Sequence, residues 1–151
     1  MPSFKGTYEH SIDSKGRVSL PAKVRRYLNP AYPDNFTILR GLQRCLYLYP
    51  EDRWMRVEEK LAKISNLRVD SANVIRNFLR NADDITLDNQ NRLALPSALT
   101  DWAGISQKVI IIGVGDRLEL WSPEELDTVD ASMSEDEYAK LFEQIMGDVS
   151  L

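Results

Sequence analysis

The stretch Asp13-Ser-Lys-Gly-Arg17-Val-Ser-Leu-Pro21 returns later in the chain as Asp88-Asn-Gln-Asn-Arg92-Leu-Ala-Leu-Pro96. Aspartate, arginine, an apolar-x-leucine pair and proline keep their places, and the offset is constant, since 88 − 13 and 96 − 21 both give 75. Two apolar runs follow each copy, at residues 36–39 and 46–50 and again at 109–112 and 118–123. The repeat predicts an internal duplication in which each half has the order strand, turn, strand, helix, strand, strand, helix.

The centre of each copy predicts a three-residue turn between two strands of a hairpin, Ser14-Lys15-Gly16 in one and Asn89-Gln90-Asn91 in the other. The last residue of such a loop usually adopts the left-handed conformation, which Gly and Asn occupy at the lowest cost. Gly16 and Asn91 stand at this position. The flanking Asp and Arg are predicted to form an ion pair across the mouth of the turn, with Asp also accepting hydrogen bonds from loop amides.

Helices are predicted after these motifs. Pro21 and Pro96 suit the first turn of a short helix. Longer helices are predicted at residues 51–64 and 69–82, and Ser134-Glu-Asp-Glu137 resembles a capping box that opens a third. Their apolar stripes are Trp54, Val57, Leu61 and Ile64; Val74, Ile75, Phe78, Leu79 and Ala82; and Tyr138, Leu141, Phe142, Ile145 and Met146. We expect these stripes to lie in the core of the chain or against a neighbouring subunit.

The net charge of −4 hides a division between the two halves of the chain. Residues 1–80 hold 15 Lys/Arg and 8 Asp/Glu, a net of +7, whereas residues 81–151 hold 4 and 15, a net of −11. A basic half joined to an acidic half predicts a polyanionic partner on one face. The alternatives are that the acidic half adds solubility, or that unlike halves of neighbouring subunits attract each other.

The differences between the copies indicate where such a partner binds. The first copy has Lys15, Lys23, Arg25 and Arg26 where the second has Gln90, Ala98, Thr100 and Asp101. Lysine and arginine bind the phosphates of duplex DNA, and arginine also reads guanine through paired hydrogen bonds. We therefore predict that the first turn and its following helix contact DNA, while a solvated basic face remains the alternative. Arg17 could brace its turn, reach DNA or do both.

Other chemistry is sparse, and we expect neither an enzyme nor a cofactor. His10 and Cys45 form no catalytic or zinc pattern, so we expect a strand residue and a buried thiol. Asp83-Asp84 and residues 134–137 are weak candidates for a cation site. Gly113-Val-Gly115 predicts a hairpin turn and no nucleotide site. One cysteine, no apolar run of about 18 residues and no signal-peptide pattern predict a cytoplasmic protein without a membrane span.

The duplicated Asp-x-x-x-Arg, each followed by apolar-x-Leu-Pro, resembles the MraZ family of bacterial transcriptional regulators. The resemblance extends to "LYLYP" at 46–50, "WMRVEEKL" at 54–61 and "LELWSPEEL" at 118–126, and it covers residues 4–125. It implies a mixed β+α fold of tandem swapped-hairpin AbrB-like β domains, an intrachain pseudo-dimer with flanking helices. The implied repeats are residues 4–50 and 81–125, with connecting helices at 51–80 and a helical tail at 126–151.

The same resemblance implies a nucleoid-associated regulator that forms a ring-shaped homo-oligomer. Such a ring binds direct repeats in double-stranded DNA upstream of the division and cell-wall gene cluster. No small-molecule ligand is evident. The candidate DNA-binding residues are Asp13, Ser14, Lys15, Gly16, Arg17, Lys23, Arg25 and Arg26, with a weaker second motif of Asp88, Gln90 and Arg92. An interaction scaffold and an antitoxin-like regulator that neutralises a toxin through its tail remain alternatives.

Overall fold

The two halves of the chain follow one order of elements. The computed structural model describes residues 3–64 and 67–147. The first half contains β1 (Phe4–Ser11), β2 (Arg17–Ser19), α1 (Ala22–Arg25), β3 (Asn35–Arg40), β4 (Leu46–Pro50), α2 (Glu51–Ala62) and α3 (Val69–Leu79). The second contains β5 (Asp83–Thr86), β6 (Arg92–Ala94), α4 (Ser97–Ala103), β7 (Lys108–Gly115), β8 (Leu118–Trp121), α5 (Pro123–Ala131) and α6 (Glu135–Met146). The predicted duplication is confirmed, with a pair of helices after each unit.

The strands of the two halves are exchanged in a six-stranded sheet. Its order is β1-β7-β8-β4-β3-β5, which reads the same from either end when the two halves are interchanged. The first strand of each half pairs antiparallel with the third strand of the other half, β1 with β7 and β5 with β3. The central join is β4 with β8. This confirms the tandem swapped-hairpin architecture and the intrachain pseudo-dimer.

The repeated motif forms a separate two-stranded ribbon from β2 and β6. Its register places Arg17 opposite Ala94, Val18 opposite Leu93 and Ser19 opposite Arg92. Val18 and Leu93 are buried. Because side chains alternate along a strand, the two arginines share the opposite, outward face of the ribbon.

The larger of two hydrophobic clusters joins the halves, because apolar residues from both ribbon strands pack with residues of β3, β4, β7 and β8. A second cluster lies under the first pair of long helices, where Trp54, Val57, Phe78 and Ala82 pack against buried residues such as Trp121. The α2 and α3 stripes are thus confirmed in part. The α6 stripe is different: none of the α6 residues is buried.

Some local predictions are wrong by a few residues. Pro21 and Pro96 precede the first helical residue instead of occupying it. Helices α2 and α3 end two and three residues before the predicted 64 and 82, at residues 62 and 79. No helix within 3–64 and 67–147 has both the length and the apolar character to cross a membrane.

The predicted turn at Gly113-Val-Gly115 is also wrong, because these residues are the last three of β7. The turn lies one step later, where the Val114 amide donates to the Arg117 carbonyl at 3.0 Å. Gly113 lies opposite Gly6 of β1. A Cβ atom on Gly113 would overlap the Lys5 backbone nitrogen, so glycine is needed here for the close approach of β1.

Candidate nucleic-acid interface

Each strand of the β2–β6 ribbon is preceded by a turn whose conformation is stabilised by one aspartate. The Oδ1 atom of Asp13 accepts hydrogen bonds from the amides of Lys15 and Arg17, both at 2.9 Å. Its Oδ2 atom accepts one from Arg17 Nε at 2.8 Å. The predicted ion pair and loop bonds are confirmed. The carbonyl of the same aspartate closes the turn by accepting the Gly16 amide at 3.0 Å.

The second copy repeats this geometry. Asp88 Oδ1 accepts the amides of Gln90 and Arg92 at 2.8 and 3.0 Å, and its Oδ2 accepts Arg92 Nε at 2.9 Å. Gly16 and Asn91, the last turn residues, have φ of 76° and 59°, which confirms the left-handed conformation. Lysine and glutamine at the turn tips therefore leave the backbone scaffold unchanged.

The same hydrogen bonds stabilise the ionised form of the two aspartates. The backbone amide of Arg17 is the largest cause that lowers the pKa of Asp13, and the amide of Arg92 does the same for Asp88. Each carboxylate therefore stays ionised to a lower pH than an ordinary aspartate does. Each carboxylate accepts a hydrogen bond from the Nε atom of its arginine. The terminal guanidinium nitrogens can therefore still donate to a ligand.

The two motifs meet in the middle of the ribbon. The side chains of Arg17 and Arg92 are 29% and 26% exposed. The Nη1 atom of Arg92 lies 4.0 Å from Asp13 Oδ2, so a carboxylate of the first copy faces an arginine of the second. The ribbon therefore forms one composite site in which both copies contribute a braced arginine.

The strand exchange separates the remaining basic residues of the first copy. At one end, the Leu95 amide donates to the Gly16 carbonyl at 2.9 Å, which brings α4 of the second copy beside the first turn. The turn and α4 enclose a cleft of about 450 Å³, whose lining includes Lys15 and Asp101. Besides the Asp13–Arg17 ion pair, this end of the ribbon thus presents one cation and one anion.

The other end carries the positive charge. There the Leu20 amide donates to the Asn91 carbonyl at 2.9 Å, so α1 of the first copy follows beside the second turn. Lys23, Arg25 and Arg26 are exposed, and Arg25 Nε donates back to the Leu20 carbonyl at 3.3 Å. Four residues at about 3.3 Å each separate the two turns by about 13 Å. The structure thus places the predicted residues on the ribbon, on its two turns and on α1, with Lys15 at one end and the three cations of the α1 segment at the other.

The second motif, predicted to be the weaker one, has the same internal geometry as the first. Arg92 is braced as firmly as Arg17, and the neutral Gln90 turn lies at the end that carries α1. The signal that could have shown this was the swapped pairing implied by the family resemblance. Exchange of strands moves the helix of one copy to the turn of the other.

The other candidates lie outside this ribbon. His10 is a residue of β1 opposite Val109, as predicted. Cys45 is fully buried, and burial raises the pKa of its thiol to about 12, so the thiol is unreactive at neutral pH. Within the described part of the chain, no three His, Cys, Asp or Glu side chains come together as a metal site.

Comparison with known proteins gives the same division into two copies. The family model described as "MraZ protein, putative antitoxin-like" matches residues 3–77 and again residues 78–148. Each match is longer than the sheet unit predicted for its half, because it includes the helices that follow.

Individual relatives are similar over almost the whole chain. "Transcriptional regulator MraZ" of Natranaerobius thermophilus is 40% identical over 143 residues, which are 95% of this chain and 96% of that protein. The protein of the same name from Syntrophomonas wolfei is 43% identical over 121 residues, or 80% and 82% of the two chains. That from Desulforamulus reducens is 36% identical over 143 residues, or 95% and 97%. The chain belongs to the MraZ family.

Proposed function

We propose that this protein is a DNA-binding transcriptional regulator that reads a specific sequence with the outer face of the β2–β6 ribbon. The observation that carries the proposal is the pair of aspartate-braced arginines, Arg17 and Arg92, on that face. The names of the relatives, which are transcriptional regulators, support the same function. A two-stranded ribbon fits the major groove of DNA, where arginine can donate two hydrogen bonds to guanine.

The braces favour specific reading. Asp13 and Asp88 hold the turns and the Nε edges in place before DNA arrives, so less side-chain entropy is lost on binding. The exposed cations of α1, Lys23 and Arg26, would bind phosphates on one side of the groove. Phosphate contacts fix register and orientation, while the contacts of the arginines to base edges supply specificity.

The unequal ends of the ribbon bear on the arrangement of DNA sites. The backbone has a pseudo-two-fold axis, which alone would suit a palindrome. Because one end carries three cations and the other carries Lys15 with Asp101, a subunit would bind each site in one orientation. Sites read by several such subunits would then be direct repeats.

Assembly into a ring would supply the affinity that one ribbon lacks. A single subunit offers about five phosphate or base contacts, which is few for specific binding at physiological salt. Several ribbons on one scaffold make the later contacts intramolecular and raise avidity by orders of magnitude. The repeats should then recur at about 10 base pairs or a multiple of it. We place them upstream of the division and cell-wall genes, bound by a cytoplasmic, nucleoid-associated ring.

Gel-shift titration tests the proposal. Arg17→Ala and Arg92→Ala should each weaken binding to a repeat-containing duplex by about tenfold or more, since a bidentate contact contributes about 1–3 kcal/mol. Lys60→Ala, which removes an exposed cation from α2, serves as the matched control and should bind as the wild type does. Unchanged affinity of both arginine variants, or equal binding to a scrambled duplex, would overturn the proposal.

The description of the family as antitoxin-like supports a second candidate, a regulator that also neutralises a toxin. Co-purification from the native host, followed by mass spectrometry, tests it. A small protein that is toxic when expressed alone and harmless with this chain would support it. Recovery of this chain alone would count against it and leave the DNA-binding proposal untouched.

A further inference from the structure

A second groove borders α4 at Trp102, with a lining that shares no residue with the cleft beside the Lys15 turn. It lies between α3, the segment after β3 and the indole of Trp102, and has a volume of about 680 Å³. We call it the α3 groove; its lining residues are Arg40, Gly41, Leu42, Asn73, Val74, Asn77, Phe78, Arg80, Asn81 and Trp102. Among these lining residues two are cationic and none is acidic.

The two arginines of the groove supply hydrogen-bond donors suited to carboxylates. Arg40 stacks on the indole of Trp102 at 4.8 Å, and its buried Nε has no hydrogen-bond acceptor among the described residues. Asn73 and Asn77 lie one turn apart on α3, and Asn81 follows two residues after the helix ends. Arg80, the residue directly after the helix, is exposed.

The rim of the groove is apolar. Leu42 and Val74, which both line the groove, are 90% and 65% exposed. Phe78 and Trp102 form a half-buried apolar floor. An occupant must therefore combine apolar side chains with negative charge.

The C-terminal helix α6 has this combination. Tyr138, Leu141, Phe142 and Ile145 stand at i, i+3, i+4 and i+7, and all four are exposed. The helix contains four carboxylates and one lysine, so its net charge is 1 − 4 = −3. Ser134 Oγ accepts the Glu137 amide at 3.1 Å and fixes the start of the helix, where Glu135, Asp136 and Glu137 cluster.

We propose that α6 of one copy of this chain binds in the α3 groove of a second copy. Amphipathic helices bind grooves through anchors at this spacing, and here the acidic first turn would meet Arg40 and Arg80. The helix of the same chain leaves its own stripe exposed, so a second copy is the occupant to which we commit. The proposal deepens, and rests on, the assembly part of the proposed function.

The two surfaces of this contact differ, which makes it heterologous. A head-to-tail contact repeats from subunit to subunit and forms a ring where the rotation closes. This arrangement predicts a result that a symmetric contact cannot give. Two variants, one damaged in the groove and one in the helix, retain one intact contact when they are mixed.

Sedimentation velocity without DNA tests this. The groove variant is Val74→Asp with Arg80→Ala, and the helix variant is Leu141→Asp with Ile145→Asp; all four positions are exposed, so folding should survive. Each variant alone should lose self-association by at least tenfold. An equimolar mixture should form a one-to-one complex and stop there, because the second contact joins two damaged surfaces that are both more acidic.

Two controls separate this inference from DNA binding. Lys60→Ala should keep the wild-type mass, and Arg17→Ala should keep the mass while it loses DNA affinity. Wild-type mass in both double variants would overturn the inference, as would a monomeric wild type or a mixture that does not associate. If both double variants kept the wild-type mass, the gel-shift titration would still decide the DNA-binding proposal independently.

Discussion

Asp13 and Asp88 each connect the shape of a turn to the position of an arginine. One carboxylate oxygen accepts two backbone amides, and the other accepts the arginine Nε. The turn and the side chain are therefore ordered together, before any ligand is present. Removal of the negative charge should loosen both.

The acid sensitivity of the fold should depend on these carboxylates. The pKa of Asp13 is lowered from its ordinary value of 3.8, so its contribution to stability is fully present above that value. The contribution is lost as the pH falls further, through the folded-state pKa. We expect Asp13→Asn to have a lower free energy of unfolding than the wild type at pH 7. Under strongly acidic conditions, where Asp13 is protonated, the two proteins should have similar free energies of unfolding. Urea unfolding at several pH values measures this difference.

The matched control is Asp127→Asn on α5, an exposed carboxylate for which no hydrogen bond or ion pair is seen within 3–64 and 67–147. It should leave the pH dependence unchanged. If Asp13→Asn and Asp127→Asn gave parallel curves, the carboxylate of Asp13 would not be bound as described.

Gly113 gives a second prediction for a single residue. A methyl group there would overlap the backbone of β1 at Phe4 and Lys5, so the two strands could not keep their spacing. We expect Gly113→Ala to destabilise the protein by about 1–3 kcal/mol, the usual cost of overpacking. Val114→Ala changes the exposed neighbour in the same strand and should cost much less. Thermal unfolding of the two variants compares them, and equal midpoints would contradict the close approach.

Residue-scale features were the most predictable from the sequence. The left-handed Gly16 and Asn91 and the two ion pairs follow from chemistry within five residues. The end of β7 did not follow, because the glycine pattern at 113–115 resembles a turn. What makes it a strand is pairing with β1, more than a hundred residues earlier in the chain.

Among the elements, the ribbon and the two short helices α1 and α4 decide the charge of the candidate interface. Each helix follows a ribbon strand and begins near the turn of the other copy. The segment with Lys23 and Arg26 therefore starts from the end of the ribbon that has the second turn, and Asp101 lies at the first turn. Phosphate contacts should concentrate at the α1 end.

The salt dependence of DNA binding should report this division. Each phosphate contact contributes about 0.9 to the slope of log K against log salt. We expect the double variant Lys23→Ala, Arg26→Ala to reduce the slope by about 1.8, and Lys15→Ala to reduce it by less than 0.9. Fluorescence anisotropy at several salt concentrations measures these slopes, with Lys60→Ala as the control. A larger loss for Lys15→Ala would place the main phosphate contacts at the first turn.

The existence of these helices was predictable, since periodic apolar positions and caps mark α2, α3 and α6. The surfaces against which they pack were not predictable. Trp54 and Phe78 face the core and Tyr138 faces solvent, although all three belong to stripes of similar spacing. Which stripe finds a core depends on the sheet to which its helix is attached.

For the whole molecule, the pairing of the two halves sets where the charges at the ribbon lie. Strand exchange interleaves the halves, so a basic helix of the first lies beside a neutral turn of the second. The composition predicted a polyanionic partner, but not where on the surface the charge would gather. That required the long-range pairing of β2 with β6.

The orientation of the subunit on DNA gives a prediction for the intact assembly. Ser14 and Asn89 are equivalent positions in the two turns, since 89 − 14 = 75. Cys45 is buried and its thiol pKa is raised to about 12, so a cleavage reagent should attach only to an introduced cysteine. The variants Ser14→Cys and Asn89→Cys would therefore carry the reagent at opposite ends of one ribbon.

The turns are about 13 Å apart, which corresponds to about four base pairs at 3.4 Å each. If the α1 end always faces the same side of the site, the two reagents should cut at positions offset by that distance. The order of the cuts should be the same in every repeat, because each subunit is held by the same unequal charges. Identical cleavage patterns from both variants would mean that subunits bind in both orientations. The pseudo-two-fold backbone, and not the charge difference between its ends, would then govern recognition.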